Sequence, residues 1–263
     1  MYSLENLNNY EGHKDYWNPD LYDKKHSFVS EYGNNLIELL KPQNDENILD
    51  LGCGTGDLAH QIYQQCPNVV GIDKSNQMVN QANEKYPYIS FSTQDIIDFS
   101  YSESFDAIFS NATMHWIKQP EKALENIYKS LKPGGRFVAE FGDKHNVQTI
   151  TDEVTHQIQE ENINYDSKHF TWYFPSIGEY TTLMERMGFT VTFAEYFDRP
   201  TTLIGEEGLN NWIQMFSNEI FESLNENTKQ NIIKNTENNL KSVLHDGETW
   251  IADYKRIRVV GVK

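Results

Sequence analysis

Three acids stand at the ends of three short apolar runs: Asp50 in ILDLGCGTGD, Asp73 closing VVGID and Asp95 closing ISFSTQD. Asp50 is followed at once by Gly52, Gly54 and Gly56, and then by Asp57. A glycine-rich turn between a strand and a helix turns backbone N–H groups toward a ligand. The dinucleotide fingerprint spaces its glycines G-x-G-x-x-G, the third allowing close helix–strand packing. Here the spacing is G-x-G-x-G, and Asp57 holds the place of that third glycine. A pyrophosphate on this turn would meet Asp50 and Asp57 at close range, where like charges are costly.

A ligand that carries an ammonium or sulfonium and no phosphate is favoured instead. S-adenosylmethionine meets that description. Its carboxylate can take loop N–H groups, and its ammonium can take a nearby carbonyl or carboxylate. Asp73 lies 21 residues after Gly52, where an acid can accept two hydrogen bonds from ribose hydroxyls. NAD makes the same demand, so Asp73 alone does not discriminate. Asp95 can take the adenine amino group, with Ile96 against the ring. An Asp at a strand end also serves as a turn or cap residue, but three acids in this order with the loop form a coherent set.

The elements that must hold these residues follow from periodicity. Apolar residues at helical spacing predict a helix over 26–40, with Phe28, Val29, Tyr32, Leu36, Leu39 and Leu40 on one face, closed by Pro42. Strands are expected over 47–53, 68–73, 89–95, 105–111 and 136–141. Helices are expected over 57–66, after Ser75, and over 120–131. A sixth strand is expected at 189–197, preceded by a helix over 176–187 whose Ser176 and Glu179 have capping-box spacing. A stripe of Leu209, Trp212, Ile213, Phe216, Ile220, Phe221 and Leu224 predicts one more helix, 228–244 another, and TWIADYKRIRVVGVK a last strand. Short apolar strands alternating with amphipathic helices predict an α/β, doubly wound sheet covered on both faces. The expected organisation is an N-terminal lid over 1–45, a cofactor-binding core over 46–142, a cap insertion over 143–172, a core continuation over 173–204, a helical cap insertion over 205–247 and a final core strand over 248–263.

The chain has 263 residues, with 22 basic against 39 acidic, a net charge of -17. That charge works against general affinity for nucleic-acid phosphates. Two cysteines, Cys53 and Cys66, give neither a disulfide framework nor a zinc cluster. No apolar run is long enough to cross a bilayer, and the N-terminal stretch lacks a targeting pattern. The expectation is a soluble cytoplasmic protein with a small-molecule substrate, no membrane and no nucleic-acid partner, as monomer or homodimer.

ILDLGCGTG, VVGIDKS, TQDIIDF, FDAIFSNATMHW and LKPGGRF resemble the successive motifs of class I S-adenosylmethionine-dependent methyltransferases, over roughly residues 47–141. YWNPDLYDKKHSFV and SNATMHWIKQP resemble the trans-aconitate methyltransferase-type branch of small-molecule enzymes. The resemblance implies a mostly parallel seven-stranded Rossmann-like sheet whose last strand runs antiparallel beside strand five. It implies S-adenosyl-L-methionine as cofactor and S-adenosyl-L-homocysteine as product. By family position, Asp50, Gly52, Gly54 and Gly56 hold the methionine end. Asp73 holds the ribose, Lys74 and Met78 flank the adenine, Asp95 and Ile96 contact its edge, and Asn111 and Ala112 line the pocket near the sulfonium. Tyr22 and His26 match the N-terminal lid.

Motifs that are missing narrow the acceptor. D/N-P-P-Y is replaced by SNATMHW after strand four, neither cysteine follows a proline, and nothing resembles a paired-glutamate loop. O-methylation of a carboxylate or hydroxyl on a small molecule is the expected activity, by in-line displacement that relies on positioning. A malonyl group on acyl carrier protein is the alternative acceptor, and a non-catalytic S-adenosylmethionine-binding protein the alternative class. His115 is the candidate base, set against a packing role at the start of a helix. Trp17, Trp116, Tyr173, Trp212, Tyr254 and Arg256 are the candidate acceptor-binding residues, with core packing the default for Trp212. Arg256, Arg258 and Arg199 each need a partner, whether a structural acid or a substrate carboxylate.

Overall fold

The structure is a computed structural model that describes residues 28–163, 172–216, 221 and 224–263, with side chains from residue 33 onward except those of Asn34 and Phe216. Along the chain run α1 (Phe28–Leu40), β1 (Ile48–Leu51), α2 (Asp57–Tyr63), β2 (Val69–Asp73), α3 (Asn76–Lys85), β3 (Ser90–Thr93) and β4 (Phe105–Asn111). After a 3-10 turn at Met114–Trp116 come α4 (Pro120–Ser130), β5 (Leu131–Gly142), α5 (Gln148–Glu160), α6 (Ile177–Arg186) and β6 (Thr190–Leu203). The chain ends with α7 (Gly208–Phe216), α8 (Glu226–Leu244) and β7 (Trp250–Val262).

The seven strands form one sheet in the order β3-β2-β1-β4-β5-β7-β6. β3, β2, β1, β4 and β5 pair in parallel. β7 enters antiparallel between β5 and β6, as the motif resemblance implied. Alternation along each strand sends successive side chains to opposite faces. Leu49, Leu51, Ile108, Phe137, Ala139 and Phe141 pack with Leu124 and Ile127 of α4 and Tyr180 and Met184 of α6. Ile48, Phe109, Val138 and Val260 pack on the other face with Leu36 and Leu40 of α1, Ile62 of α2 and Val79 of α3. By the same alternation Asp50, Asn111, Glu140, Arg256 and Arg258 belong to the α1–α3 face, toward the carboxyl ends of the parallel strands.

Two strands outrun their sequence signals. β5 begins at Leu131 directly from α4, because a register shift between Phe105 and Ala107 lets Leu131 pair before the Lys132–Gly135 turn. β6 continues to Leu203 because it pairs with β7 along its length, from Thr190↔Val262 to Leu203↔Trp250. Pro200 fits there because β6 is an edge strand and its missing N–H breaks no inner ladder bond. The β6–β7 ribbon thus projects past Gly142, the last β5 partner of β7. Its end meets a third core of Ile150, Val154 and Ile158 from α5, Leu209, Trp212 and Ile213 from α7, Ile232 and Leu240 from α8, and Trp250, Ala252 and Tyr254 from β7. The side chains of Phe28, Val29, Tyr32, Phe216 and Ile220 lie outside the described residues. Ser75 and Ser176 cap α3 and α6, the latter through a complete capping box with Glu179.

Candidate active site

The turn after β1 is built on left-handed backbone. Gly52, Gly54 and Gly56 have φ of 80, 54 and 86°, a region that costs other residues about 1–2 kcal/mol each. The N–H groups of Gly52 and Cys53 both donate to the Ile72 carbonyl, at 2.8 and 3.0 Å, tying the turn to β2. A Cβ on Gly52 would stand 2.2 Å from Thr113 Oγ1, and one on Gly56 2.8 Å from the Phe91 ring. A Cβ on Gly54 would meet nothing within 4 Å. The middle of the turn therefore faces open space, which fits the methionine end of the cofactor.

Asp50 and Asp73 face this turn from two strands. Asp50 is 2% exposed, and its Oδ2 makes no hydrogen bond. Burial, reinforced by the negative charge of Asp73, lifts its carboxyl to about 8, against the opposing pull of the Ala59 N–H. At neutral pH it is mainly protonated, as expected of a buried acid with no cation beside it among the described residues. Asp73 Oδ2 accepts from Gly54 N–H and Oδ1 from Ser75 N–H, each at 2.9 Å. The ribose candidate therefore also braces the loop it serves.

Asp57 does not belong with Asp50. Its Oδ1 pairs with Lys85 Nζ at 2.6 Å and accepts from Tyr86 Oη at 2.6 Å, both at the C-terminal end of α3. Thr55 Oγ1 donates weakly to its Oδ2 at 3.4 Å. Asp57 is thus a charge-compensated strut between α2 and α3. The acids that flank the turn without a cation partner of this kind are Asp50 and Asp73.

The adenine candidates also have structural partners. Lys74 pairs with Asp95 at 2.8 Å, and Asp95 Oδ1 accepts from Ile97 N–H at 3.1 Å, a turn-forming bond. Ile96 is buried in the core, and its carbonyl accepts from Asn126 Nδ2 at 3.2 Å. Met78 is 3% exposed, in the first turn of α3.

At the β4 end, Asn111 is 9% exposed. Ala112 takes a left-handed φ of 55° and donates its N–H to the Glu140 carbonyl at 2.8 Å. The chain then turns through Thr113 to His115, which is 7% exposed. His115 Nδ1 accepts from Gly142 N–H at 3.4 Å, and its carbonyl accepts from Tyr173 N–H at 2.7 Å. The rings of Trp116 and Phe174 flank it at 5.4 and 5.7 Å. Burial, helped by the positive charge of Arg256, holds the imidazole well below its ordinary value, hence neutral.

Arg256 is 6% exposed and lies over the Tyr254 ring at 4.8 Å. Tyr254 Oη accepts from Trp212 Nε1 at 2.6 Å, so Trp212 is core, as its periodicity suggested, and it also fixes Tyr254. Trp172 links this group to Trp116, with ring centroids at 5.8 Å, and to Trp212 at 6.1 Å. His115, Trp116, Tyr173, Trp212, Tyr254 and Arg256 are thereby joined through contacts. Trp17, Tyr22 and His26 lie outside the described residues.

Arg258 and Arg199 have a different role. Both bind the 1%-exposed Glu140, Arg199 through both its terminal nitrogens and Arg258 through Nε at 2.6 Å. The Phe197 ring lies 4.9 Å from one guanidinium and 4.6 Å from the other. Their partner is a structural acid. Glu140, Gly142, Thr113 and Lys85 escaped the sequence reading. Glu140 did leave a trace, as a lone acid in the apolar run RFVAEF.

The family profile described as a methyltransferase domain matches residues 42–188. An uncharacterized methyltransferase of Schizosaccharomyces pombe is 31% identical, over 95% of this chain and 99% of its own. A trans-aconitate 2-methyltransferase of Deinococcus radiodurans is 27% identical over 74% of this chain and 78% of its own. Among solved structures, the YcgJ protein of Bacillus subtilis shares the fold with a TM-score of 0.64 at 16% identity, covering 89% of this chain and 98% of its own. A doubly wound sheet with an antiparallel β7 and a glycine turn beside two acids defines an S-adenosylmethionine-binding fold. The chain belongs to the methyltransferase domain family and is a class I S-adenosylmethionine-dependent methyltransferase.

Proposed function

We propose that the enzyme transfers the methyl group to a carboxylate of a small acidic metabolite, giving a methyl ester. Arg256 carries this reading. It is a buried guanidinium on the cleft face of β7, close enough to His115 for its charge to act on that ring. A guanidinium in a low-dielectric pocket matches a carboxylate with two parallel hydrogen bonds. The name of the Deinococcus radiodurans relative points to the same acceptor chemistry.

S-adenosylmethionine, when bound, supplies an electrophilic methyl on a sulfonium. In this reading the N–H groups of the Gly52–Gly56 turn take its carboxylate and Asp50 takes its ammonium. Asp73 takes the ribose, and Lys74, Met78, Asp95 and Ile96 surround the adenine. Asn111 and Ala112 border the sulfonium, with Tyr22 and His26 as further cofactor-binding residues and Trp17 as an acceptor-binding one. Trp116, Tyr173 and Phe174 exclude water around the acceptor. Positioning and desolvation supply most of the acceleration, because displacement at a sulfonium needs little further assistance.

The test is a screen with methyl-tritiated cofactor against aliphatic and aromatic carboxylic acids, phenols and amines. Transfer to an acid should yield base-labile label, released as methanol. Arg256→Met should lose about a hundredfold in kcat/KM, as when one partner of a buried charge pair is removed, while retaining S-adenosylhomocysteine affinity. Base-stable label on a phenol or amine, with acids inert, would contradict the proposal.

A further inference from the structure

We propose that His115 is a fixed hydrogen-bond donor that works with Arg256 to select an already ionised carboxylate, so that methyl transfer proceeds without a general base. The proposal rests on the carboxylate reading above and deepens it by giving the acceptor's protonation state.

The donor role follows from geometry. A backbone N–H can only donate, so the Gly142 N–H pointing at Nδ1 makes that nitrogen the acceptor. In a neutral ring the single proton then sits on Nε2. The ring is held in place from several sides: by Gly142 at Nδ1, by Tyr173 N–H on the His115 carbonyl, and by Trp116 and Phe174 at its faces. Nε2 makes no hydrogen bond among the described residues, although the side chain as a whole is buried. An acceptor oxygen would give that N–H a partner.

A general base needs a lone pair aimed at the substrate and a pKa near the working pH. Here the lone pair faces the backbone of β5. Protonation is opposed by burial and by Arg256 of β7. The neighbouring titratable groups do not help: burial keeps Tyr254 of β7 and Tyr173, next to Phe174, in their protonated forms. The Nε2–H and the guanidinium whose charge acts on the ring are both donors. A carboxylate, which only accepts, satisfies both. A hydroxyl brings a proton of its own and finds no base there.

The chemistry balances on these terms. A carboxylate oxygen lone pair forms the new C–O bond, the methyl–sulfur bond breaks, and its electron pair stays on sulfur. An ionised acid becomes a neutral ester with no proton to remove, whereas a hydroxyl acceptor would have to shed one.

The decisive experiment is a long-range nitrogen–proton spectrum of the full-length protein labelled at histidine, from pH 5.5 to 8, with the His115 signals assigned through His115→Gln. A non-titrating Nε2–H tautomer is expected. An Nδ1–H tautomer, or a ring that titrates in this range, overturns the proposal whatever the acceptor proves to be. On the acid labelled in the acceptor screen, kcat/KM should show no ascending limb with a histidine midpoint. His115→Gln keeps a donor and should raise KM by no more than about tenfold. His115→Leu removes it and should raise KM by about a hundredfold, with kcat changing less than KM. A fall of 10²–10⁴ in kcat for both variants, the usual size of a lost acid–base contribution, would restore His115 as the base. If no acid is labelled, the carboxylate reading fails, and the spectrum still decides the tautomer.

Discussion

Asp50 shows how one residue can couple binding, stability and pH. Its carboxyl is raised from 3.8 to about 8, so the folded chain holds its proton more tightly than the unfolded chain. That contribution to stability is complete below about 4 and is lost as pH climbs toward 8. Asp50→Asn should therefore melt with wild type near pH 4 and above it at pH 8, by an amount of order a few kcal/mol. Thermal melts of the cofactor-free protein at the two values check this; equal melting at both would contradict it. An ammonium arriving beside Asp50 should ionise it, so cofactor binding near pH 7 should release close to one proton. Calorimetry in buffers of different ionisation enthalpy reads that number directly, and Asp50→Asn should abolish it. Gly52→Ala places a Cβ 2.2 Å from Thr113 Oγ1 at a φ of 80° and should abolish measurable cofactor binding by equilibrium dialysis. Asp50, Asp73 and the glycines were legible in the sequence because their spacing is local. Asp57 was misjudged because its partner Lys85 arrives through the packing of α3 on α2, which spacing within the motif does not reveal.

Among the elements, the β6–β7 ribbon is what the proposed acceptor end depends on. It carries Tyr254 past the end of β5 and sets Arg256 opposite Gly142, the last residue of β5, and its inner part is fastened by Glu140 between Arg199 and Arg258. Removing the acid would leave two largely buried guanidiniums facing each other. Glu140→Gln should cost about 3–5 kcal/mol, a drop in Tm of roughly 10 °C for a chain of this size. A Tm within 2 °C of wild type would mean that the cluster is only incidental, since that is no more than about 1 kcal/mol. Strand positions were readable from apolar alternation, but strand lengths were not. β6 reads as nine residues because its outer part, DRPTTL, is polar or carries a proline. It is a strand because β7 pairs with it, and that pairing is a long-range fact. The start of β5 at Leu131 was hidden in the same way, inside a turn sequence that looks like a helix stop.

On the scale of the whole molecule, a net charge of -17 surrounds a cleft proposed to admit an anion. Long-range repulsion should slow the encounter with an acidic acceptor, and salt should relieve it. Raising ionic strength from about 10 mM to 150 mM, which shortens the Debye length from about 30 to 8 Å, should therefore raise kcat/KM for a dicarboxylate. A fall over that range would indicate a local basic funnel instead. The same charge disfavours an acidic carrier protein as acceptor. Fold class and strand order were legible because five motifs fall in one order over residues 47–141. The acceptor end was less legible because it is assembled from β4, β5, the segment around Tyr173 and β7, which are far apart in the chain.

In the proposed site the turn after β1 and the acid ending β2 hold S-adenosylmethionine rather than a dinucleotide, and the whole reading depends on that choice of ligand. It is tested most directly by calorimetric titration of wild type and Asp73→Ala with S-adenosylmethionine, S-adenosylhomocysteine and NADH. Micromolar binding of the first two, none of NADH, and loss of binding in the variant is the predicted result. NADH binding without S-adenosylmethionine binding, or an Asp73→Ala variant that binds as wild type does, would contradict it.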